Sequence, residues 1–434
     1  MRVPGPSPAR RGRLALVMLA CALAGLLAAA CSAGTSGTAS PGHHDAGASS
    51  SASSAAASLL SISPANGTAN ASPGQGVTVT ATRGKLTSVS VTAAGSAVAG
   101  TMNSAQTSWH STWALAVSST YTVTATAVAP GGSPVTRTSS FTTLRPARTF
   151  STMIFEGYND TYGVGMPIML TFSQPITNKA AVERSLQLTT SKPVVGAWYW
   201  DGNQTLDFRP RAYWPAYTRV SFTGHLDGIE GAPGVYGDHT LTQSFSIGSS
   251  LIVVASTTDH YLDLFRDGHL LDRWPISTGR PGDDTPNGTY VTIDKANPVL
   301  MTGPGYSLEV PWSVRFTWSG DYLHDAYWST GEQGFTNVSH GCVNMPPADA
   351  ETYYNMEVPG DPVTVTGSPR AGTWDNGWTE WFLPWSQYVK GSALQEAVEA
   401  GPDGSTFVSP AALPASAATV PLGMPDPGNW SASA

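Results

Sequence analysis

Runs of alternating apolar and polar residues recur in the same order in two successive stretches of this chain, residues 59–146 and 147–248. The first stretch contains VTVT at 77–80, VSV at 89–91, YTVTA at 121–125 and SFT at 140–142; the second contains IMLTF at 168–172, YTRVSF at 217–222 and SFS at 244–246. A period of two buries one face of each strand, and the glycine and proline residues between the runs mark turns. The spacing predicts two successive β-sandwiches.

Composition agrees with a strand-rich chain and excludes nucleic acid as a partner. The 434 residues include 45 glycines and 33 prolines, and only 12% are charged. Four of the 22 basic residues lie before Cys31, where no acidic residue occurs, so removal of that segment leaves 18 basic against 30 acidic residues and a formal net charge of −12. An acidic chain offers no basic surface for a phosphate backbone.

The N-terminal segment, residues 1–30, has the pattern of an export signal. Arginines precede an apolar run, and the small residues AAA at 28–30 lead directly to Cys31. We expect cleavage before Cys31 and lipidation of its thiol, although Ala28 stands where lipoprotein signals usually carry leucine. The alternative is an ordinary signal peptide that leaves the protein free. Residues 31–58, nearly all Ser, Ala, Gly and Thr, predict a flexible tether, and hence a protein held at the outer face of the plasma membrane by its lipid.

Cys342 is then a lone thiol, because Cys21 lies within the signal and Cys31 is the lipidation site. A buried, inert cysteine is one interpretation. The sequence PPADAETYY at 346–354 favours another, since it predicts a helix that begins just after the thiol, and a helix N-terminus favours thiolate.

A reactive cysteine needs a base, and two histidines are candidates. His340 is two residues from the thiol, and His324 follows a strand-like run at 314–323. Either imidazole beside the thiol would make a nucleophile and base pair. A rival chemistry stays open at this point, because His324, His340 and Cys342 are also a possible set of three zinc ligands.

These residues resemble the signature of the L,D-transpeptidases, which cross-link peptidoglycan through a catalytic cysteine. His324 is followed by SHGCVN at 339–344, and the likeness extends to TGR at 278–280, TPNGTY at 285–290 and GDPV at 360–363. The resemblance implies a mixed β-sandwich catalytic domain over residues 249–368. It also implies two immunoglobulin-like domains in front, at 59–146 and 147–248, as in mycobacterial-type enzymes. Residues 369–434 resemble the C-terminal extension of those enzymes, packing on the catalytic domain and ending in a disordered tail.

The resemblance also implies an activity. Cys342 would attack the bond before the terminal D-alanine of a peptidoglycan stem peptide, with His324 as acid and base, and the acyl-enzyme would pass to a second stem as a 3→3 cross-link. No cofactor is implied, and carbapenem β-lactams would acylate the same cysteine as inhibitors. Transfer to water, an L,D-carboxypeptidase activity, shares the acyl-enzyme and stays an alternative. A non-catalytic cell-wall-binding protein is a second alternative.

Further site residues follow from the same resemblance. Backbone N–H groups at Gly341 and Cys342 are expected to stabilise the oxyanion. The family's cleft implies a flap carrying Met301 and Tyr306, a wall at Ser319 and Gly320, and supporting or substrate-binding roles for His340 and Asn344. Asp325 departs from the serine that usually follows the histidine, which is tolerable if its carbonyl, rather than its side chain, orients His324.

A weaker feature lies in the second sandwich. Asp227, Glu230 and Gly231 resemble a calcium-associated loop, and an acidic turn between strands accounts for the same residues. We expect the sandwiches to act as spacers that hold the catalytic domain off the membrane, rather than as modules that bind the wall.

Overall fold

The computed structural model describes residues 59–303 and 305–413. The predicted signal, the lipidation site at Cys31, the tether and residues 414–434 of the tail lie outside the described residues. The described chain is mainly β, as predicted, and forms two sandwiches, a mixed β domain that the resemblance implies to be the catalytic domain, and an extension. Within it, no helix is long and apolar enough to cross a membrane.

The first sandwich consists of two four-stranded sheets, ordered β1-β2-β6-β5 and β4-β3-β7-β8. Its strands are β1 Leu60–Ser63, β2 Thr78–Ala81, β3 Lys85–Ala93, β4 Ser96–Ala97, β5 Gly100–Met102, β6 Ser108–Ser111, β7 Thr120–Val128 and β8 Pro134–Thr142, with a 3₁₀ turn at Pro73–Gln75. In β7 alternate side chains are buried, so the period of two read from the sequence is the one that builds the core.

The second sandwich has sheets of six, four and three strands, ordered β10-β12-β15-β14-β31-β32, β11-β19-β16-β13 and β17-β18-β9. Its own strands are β9 Arg148–Phe150, β10 Thr152–Ile154, β11 Thr161–Tyr162, β12 Ile168–Phe172, β13 Leu186–Thr190, β14 Val194–Asp201, β15 Thr205–Pro210, β16 Arg219–Gly224, β17 Glu230–Ala232, β18 Val235–Gly237 and β19 Leu241–Ile247, with helix α1 at Lys179–Arg184. Strands β31 and β32 come from the far end of the chain, as described below.

The catalytic domain places a five-stranded sheet, β22-β21-β20-β30-β23, beside a four-stranded sheet, β24-β27-β28-β29, and a two-stranded hairpin, β25-β26. The elements are β20 Leu251–Ser256, β21 Tyr261–Arg266, β22 His269–Pro275, β23 Gly288–Val291, β24 Asp294–Ala296, β25 Val299–Gly303, β26 Tyr306–Val310, β27 Ser313–Arg315, β28 Tyr322–Asp325, β29 Val343–Met345, α2 Pro347–Met356 and β30 Pro362–Thr366, with a 3₁₀ turn at Tyr327–Ser329. Both sheets are mixed, because β20 pairs with β30, and β28 with β29, in parallel.

One sequence-based expectation about this domain is wrong. The run at 314–323 is not one strand: β27 and β28 are separated by a turn that contains Gly320, whose φ of 99° lies in the left-handed region that glycine tolerates. The helix predicted after Cys342 is present as α2, which begins at Pro347, and the short strand β29 lies between it and the thiol.

The extension binds the second sandwich as well as the catalytic domain. Its elements are 3₁₀ turns at Glu380–Phe382, Val389–Gly391 and Pro410–Ala412, helix α3 at Trp385–Tyr388, and strands β31 Ala397–Gly401 and β32 Gly404–Val408. Val194 of β14 pairs with Ala400 of β31 in the antiparallel register, so the extension completes the six-stranded sheet. The sequence predicts packing on the catalytic domain, and the structure adds this pairing with the second sandwich.

One hydrophobic core runs through the second sandwich, the extension and one side of the catalytic domain. Trp381 of the extension is buried, and its indole N–H donates to the Gly165 carbonyl 2.8 Å away. Val291 of the catalytic domain belongs to the same core. By contrast, the core of the first sandwich contains residues from that sandwich only, from Leu59 to Phe141.

Candidate active site

The Cys342 thiol lies in the loop that leads into β29. Its Sγ donates to the Gly320 carbonyl at 3.7 Å, and the backbone N–H of Tyr322 faces the sulfur. The parallel register of β28 and β29 pairs Leu323 with Val343 and His324 with Asn344, so the two strand ends bring His324 and the thiol to the same cavity.

His324 is buried and its ring orientation is defined by one hydrogen bond. Its Nδ1 lies 2.7 Å from the carbonyl oxygen of Asp325, and since a carbonyl only accepts, Nδ1 carries the proton and Nε2 is left as the acceptor. The ring also stacks on Trp328 with centroids 5.8 Å apart. Asp325 thus orients the histidine through its backbone, which resolves the question raised by its departure from serine.

Both groups are neutral at rest. Burial lowers the pKa of His324 to about 4. Burial and the nearby Asp321 carboxylate raise the pKa of Cys342 to about 12, and the Tyr322 N–H offsets only part of that rise. The expectation of a preformed thiolate is therefore wrong, since desolvation and a neighbouring negative charge outweigh any helix dipole at a thiol that a strand separates from the helix.

Hydrogen bonds hold the backbone around the cysteine. Ser339 Oγ accepts from the Gly341 N–H at 3.2 Å and donates to the Cys342 carbonyl at 2.6 Å. Thr285 Oγ1 donates to the Gly341 carbonyl at 2.7 Å. Since Gly341 N–H is already bonded, the expected oxyanion pair reduces to the Cys342 N–H, which has no acceptor among the described residues.

Glycine is required at 341. Its φ is 128°, and a Cβ there would lie 2.5 Å from Oδ1 of Asp321. That carboxylate is held in turn by the hydroxyls of Thr317, at 2.7 Å, and Ser319, at 2.9 Å. The close approach places a carboxylate directly beside the backbone that carries the nucleophile.

Two cavities meet at the thiol. One, of about 380 Å³, is mostly apolar, with His324 on its wall; its other lining residues include Leu308, Val310, Trp328, Val338 and Asn344. The other, of about 340 Å³, is more polar; its lining residues include Thr302, Ser319, Gly320, Asp321 and Arg370. Met301, Tyr306, His340 and Cys342 line both cavities. A molecule in either cavity can therefore reach the sulfur.

The comparisons with known proteins agree with this geometry. Residues 250–365 match the model of the L,D-transpeptidase catalytic domain, and residues 68–230 match that of a bacterial Ig domain. The chain is 31% identical to L,D-transpeptidase 2 of Mycobacterium tuberculosis over 347 residues, covering 77% of this chain and 85% of that protein. It is 34% identical to L,D-transpeptidase 5 of the same species, covering 77% of each. The chain belongs to the L,D-transpeptidase family.

Among solved structures, this transpeptidase is similar to an L,D-transpeptidase in complex with imipenem. The identity is 34% and the TM-score 0.43, over 49% of this chain and 97% of that one.

The flap of this transpeptidase is the hairpin β25-β26, which carries Met301 and Tyr306 over the thiol. The Tyr306 ring stacks on that of His340, with centroids 5.0 Å apart. His340 is thus placed at the closing contact between flap and cysteine loop. The rival zinc site is not formed, since no three His, Cys, Asp or Glu side chains of the described residues cluster so as to hold a metal ion.

The other predicted residues divide into cleft walls and supports. Ser319 and Gly320 line the polar cavity, as the resemblance implies. Asn344 is buried, and its Nδ2 donates to Ser329 Oγ at 3.0 Å, so most of its polar contact is internal. Asn376 of the extension accepts from the Ser319 N–H at 2.8 Å, which ties the extension to the cleft.

The acidic turn at 227–231 lies against the first sandwich. The Asp227 carboxylate accepts from the backbone N–H of Val117, and Glu230 Oε1 accepts from the Gly234 N–H at 2.8 Å. Because both carboxylates have backbone partners and no metal-binding cluster exists in the described part of the chain, the calcium interpretation gains no support here.

Sequence reasoning missed Asp321 and Arg370. Asp321 directly follows Ser319 and Gly320, so an acid next to a predicted cleft wall was a signal that could have been used. Arg370 lies four residues after β30, and only tertiary structure brings it to the cavity.

Proposed function

We propose that this transpeptidase forms 3→3 cross-links between peptidoglycan stem peptides and releases D-alanine. The observation that carries the proposal is the position of the Cys342 thiol at the junction of two cavities, one beside His324 and one more polar. A transpeptidase must bring one sulfur first to a donor peptide and then to an acceptor peptide, and two approaches to one sulfur meet that need.

Acylation starts from the neutral pair. His324 Nε2 takes the thiol proton as Sγ attacks the carbonyl before D-alanine, and the new imidazolium then gives that proton to the leaving amine. The low pKa of His324 makes its imidazolium a strong acid for the second step. The developing oxyanion is stabilised by the Cys342 N–H. The C–N bond breaks, D-alanine leaves, and a thioester remains.

Transfer reverses these roles. The side-chain amine of diaminopimelate in a second stem attacks the thioester carbon, the C–S bond breaks, and a proton leaves through His324 as the thiol is restored. Hydrolysis would use water in place of the amine.

We further propose that β-lactams of the carbapenem class acylate the same thiol, because their strained ring is an acyl donor. We also propose that the protein is exported and anchored by a lipid on Cys31, which is the context in which stem peptides are available. The apolar segment and the AAA-Cys sequence at 28–31 support this location.

The test is intact-protein mass spectrometry of the full chain with a tetrapeptide stem, with and without an acceptor stem. We expect one adduct per chain at Cys342, loss of D-alanine, and a cross-linked product only with acceptor. Cys342→Ser is the matched control and should remain unmodified. EDTA should change neither result. Product formed by hydrolysis alone would contradict transpeptidation, and adducts on the serine variant would contradict the cysteine mechanism.

A further inference from the structure

The polar cavity beside Cys342 contains one guanidinium and one carboxylate on its wall. They belong to Arg370 and Asp321, and the cavity also contains the sulfur. Among the described residues no carboxylate lies within 4.0 Å of the Arg370 guanidinium, so its charge is unpaired. An unpaired cation and an acid facing one small cavity suit a ligand that carries both charges.

The position of Arg370 is fixed by its backbone. Its carbonyl accepts from the Asn287 N–H at 2.8 Å, and its own N–H donates to Ser368 Oγ at 3.2 Å. One guanidinium nitrogen donates to the Asp284 carbonyl at 3.2 Å, which braces the side chain and leaves its other donors for a ligand. A planar guanidinium matches a carboxylate in geometry.

Asp321 is fixed equally well, and its negative charge acts on the Cys342 thiol. The hydroxyls of Thr317 and Ser319 hold one oxygen, while the other approaches Gly341 so closely that no Cβ fits between them. An ammonium drawn to this carboxylate is next to the cysteine loop.

We propose that this cavity binds the amino-acid zwitterion whose amine attacks the acyl-enzyme, with its ammonium at Asp321 and its carboxylate at Arg370. The inference rests on the proposed function and names the acceptor that the site selects: a free α-amino acid centre, such as that at the end of a diaminopimelate side chain. After one proton leaves the ammonium, the amine attacks the thioester carbon. The C–N bond forms, the C–S bond breaks, the sulfur is protonated, and the net proton is released to solvent.

This arrangement predicts discrimination at the acceptor's carboxyl group. A carboxamide keeps the amine and the shape but loses the charge that Arg370 would pair, and an amine without any carboxyl group loses both the charge and the hydrogen bonds. Hydrogen bonds to charged groups are strong enough for about a ten-fold preference even at an exposed arginine.

The experiment uses the full chain, acylated by a tetrapeptide stem and then offered three small acceptors: a D-amino acid, its carboxamide, and the amine that lacks the carboxyl group. Mass spectrometry measures how much acyl-enzyme passes to each acceptor and how much to water. We expect the free acid to be preferred over the carboxamide about ten-fold, and Arg370→Gln to bring that ratio close to one. Arg266→Gln, an exposed arginine on β21, is the matched control and should keep the ratio.

The outcomes separate the two proposals. If the wild-type chain forms no acyl-enzyme with the stem, the proposed function fails and this inference with it. If the acyl-enzyme forms but acid and carboxamide react equally, or if Arg370→Gln keeps the wild-type ratio, only the zwitterion site is overturned. Asp321→Asn is a second test of the site. It should slow transfer to all three amines and leave unchanged the ratio of transfer to the free acid over transfer to the carboxamide.

Discussion

At the scale of single residues, the nucleophile and its base are both uncharged before substrate binds. The Cys342 thiol and the His324 imidazole lose hydration in the same buried site, and for each the neutral form is favoured. A neutral thiol resists oxidation better than a thiolate. The thiol proton must then pass to His324 while the sulfur attacks, so the rate of acylation depends on this imidazole.

His324→Ala should therefore slow acylation of Cys342 by at least about 10²-fold, the usual effect of removing an acid–base group. His340→Ala is the matched control: its ring stacks on the flap, so a smaller loss is expected. Rates of carbapenem adduct formation, followed by intact mass, measure both variants. Equal losses would mean that the base has been assigned to the wrong histidine.

The pH dependence of acylation follows from the same pKa. Since the pKa of His324 is lowered to about 4, the imidazole stays a base through the neutral range and loses that role only as pH falls through about 4. The rate of acylation should be nearly constant from about pH 5.5 to 7.5, whereas a base of ordinary pKa would lose activity below about 6.5. Circular dichroism at each pH ensures that a loss of rate is not a loss of fold. A midpoint near 6.5 would contradict the burial argument.

At the scale of elements, the site is assembled by pairs of chain segments rather than by one motif. The parallel pair β28-β29 aligns His324 with the cysteine loop, and the hairpin β25-β26 covers both cavities. Among the described residues, the stack of Tyr306 on His340 is the aromatic contact that joins the flap to the cysteine loop. The flap's position over the thiol therefore depends on a contact of modest strength.

Tyr306→Ala should open the cleft to small reagents. Loss of a stacked pair is equivalent to roughly a three- to ten-fold change in an equilibrium, so alkylation of Cys342 by iodoacetamide should speed up by about that factor. Tyr306→Phe keeps the stacked ring and should stay near the wild-type rate. An unchanged rate in the alanine variant would show that the stacking does not hold the flap.

Where the extension meets the second sandwich, buried acids lie together. Burial raises the pKa of Glu156 to about 8 and that of Glu380 to about 7. Arg209 lies in the same region, with its guanidinium 4.6 Å from the Trp381 ring and one nitrogen bonded to the Leu383 carbonyl. This junction is built around acids whose protonated form is favoured by burial.

Stability should therefore depend on pH through Glu156. The folded chain keeps the Glu156 proton up to about pH 8, while the unfolded chain releases it near the ordinary value of 4.5. The contribution of Glu156 to the free energy of unfolding is fully present below about pH 4.5 and is lost as pH rises through about 8. The amide in Glu156→Gln cannot ionise. Between pH 5 and 8.5 the unfolding temperature of this variant should therefore rise relative to that of the wild type. Glu399→Gln, on the exposed face of β31, should show no such gain, and equal shifts in both variants would contradict the prediction.

At the scale of the whole molecule, the second sandwich is part of the catalytic unit and the first is not. Trp381, Val291 and the strands of the second sandwich share one core, whereas the first sandwich has its own. The contact between the sandwiches includes the stacked rings of Trp113 and His225, 3.7 Å apart. The expectation that both are spacers fits the first sandwich better than the second.

Truncation tests this division. A chain that starts at residue 147 keeps the core shared by the second sandwich, the catalytic domain and the extension. These parts should unfold at nearly the same temperature in the truncated chain as in the full chain. One that starts at residue 249 leaves β31 without its partner β14 and exposes Trp381, so we expect a lower midpoint or aggregation. Calorimetry and the rate of Cys342 acylation compare the two. A stable, active 249–434 fragment would show that the second sandwich is dispensable.

Local patterns explain which features sequence reasoning could reach. Alternation predicts the strands, and the likeness of His324 and SHGCVN at 339–344 to the family signature implies the reacting pair, because both signals lie within short stretches of chain. The sequence could not predict the pKa of Cys342, since that pKa depends on burial and on the nearby Asp321. Arg370 and the pairing of β31 with β14 were missed for a similar reason: each joins segments brought together only by tertiary folding.

Strand β31, which the extension adds to the second sandwich, also sets an order of events when the chain first folds. Val194 and Ala400 pair across more than 200 residues of sequence, so the six-stranded sheet cannot close until the last part of the catalytic unit has been synthesised. Until then β14 has an unpaired edge, which is the kind of surface through which strands of different molecules associate. A chain that emerges N-terminus first thus completes its first sandwich early and must protect an open sheet while the catalytic domain folds.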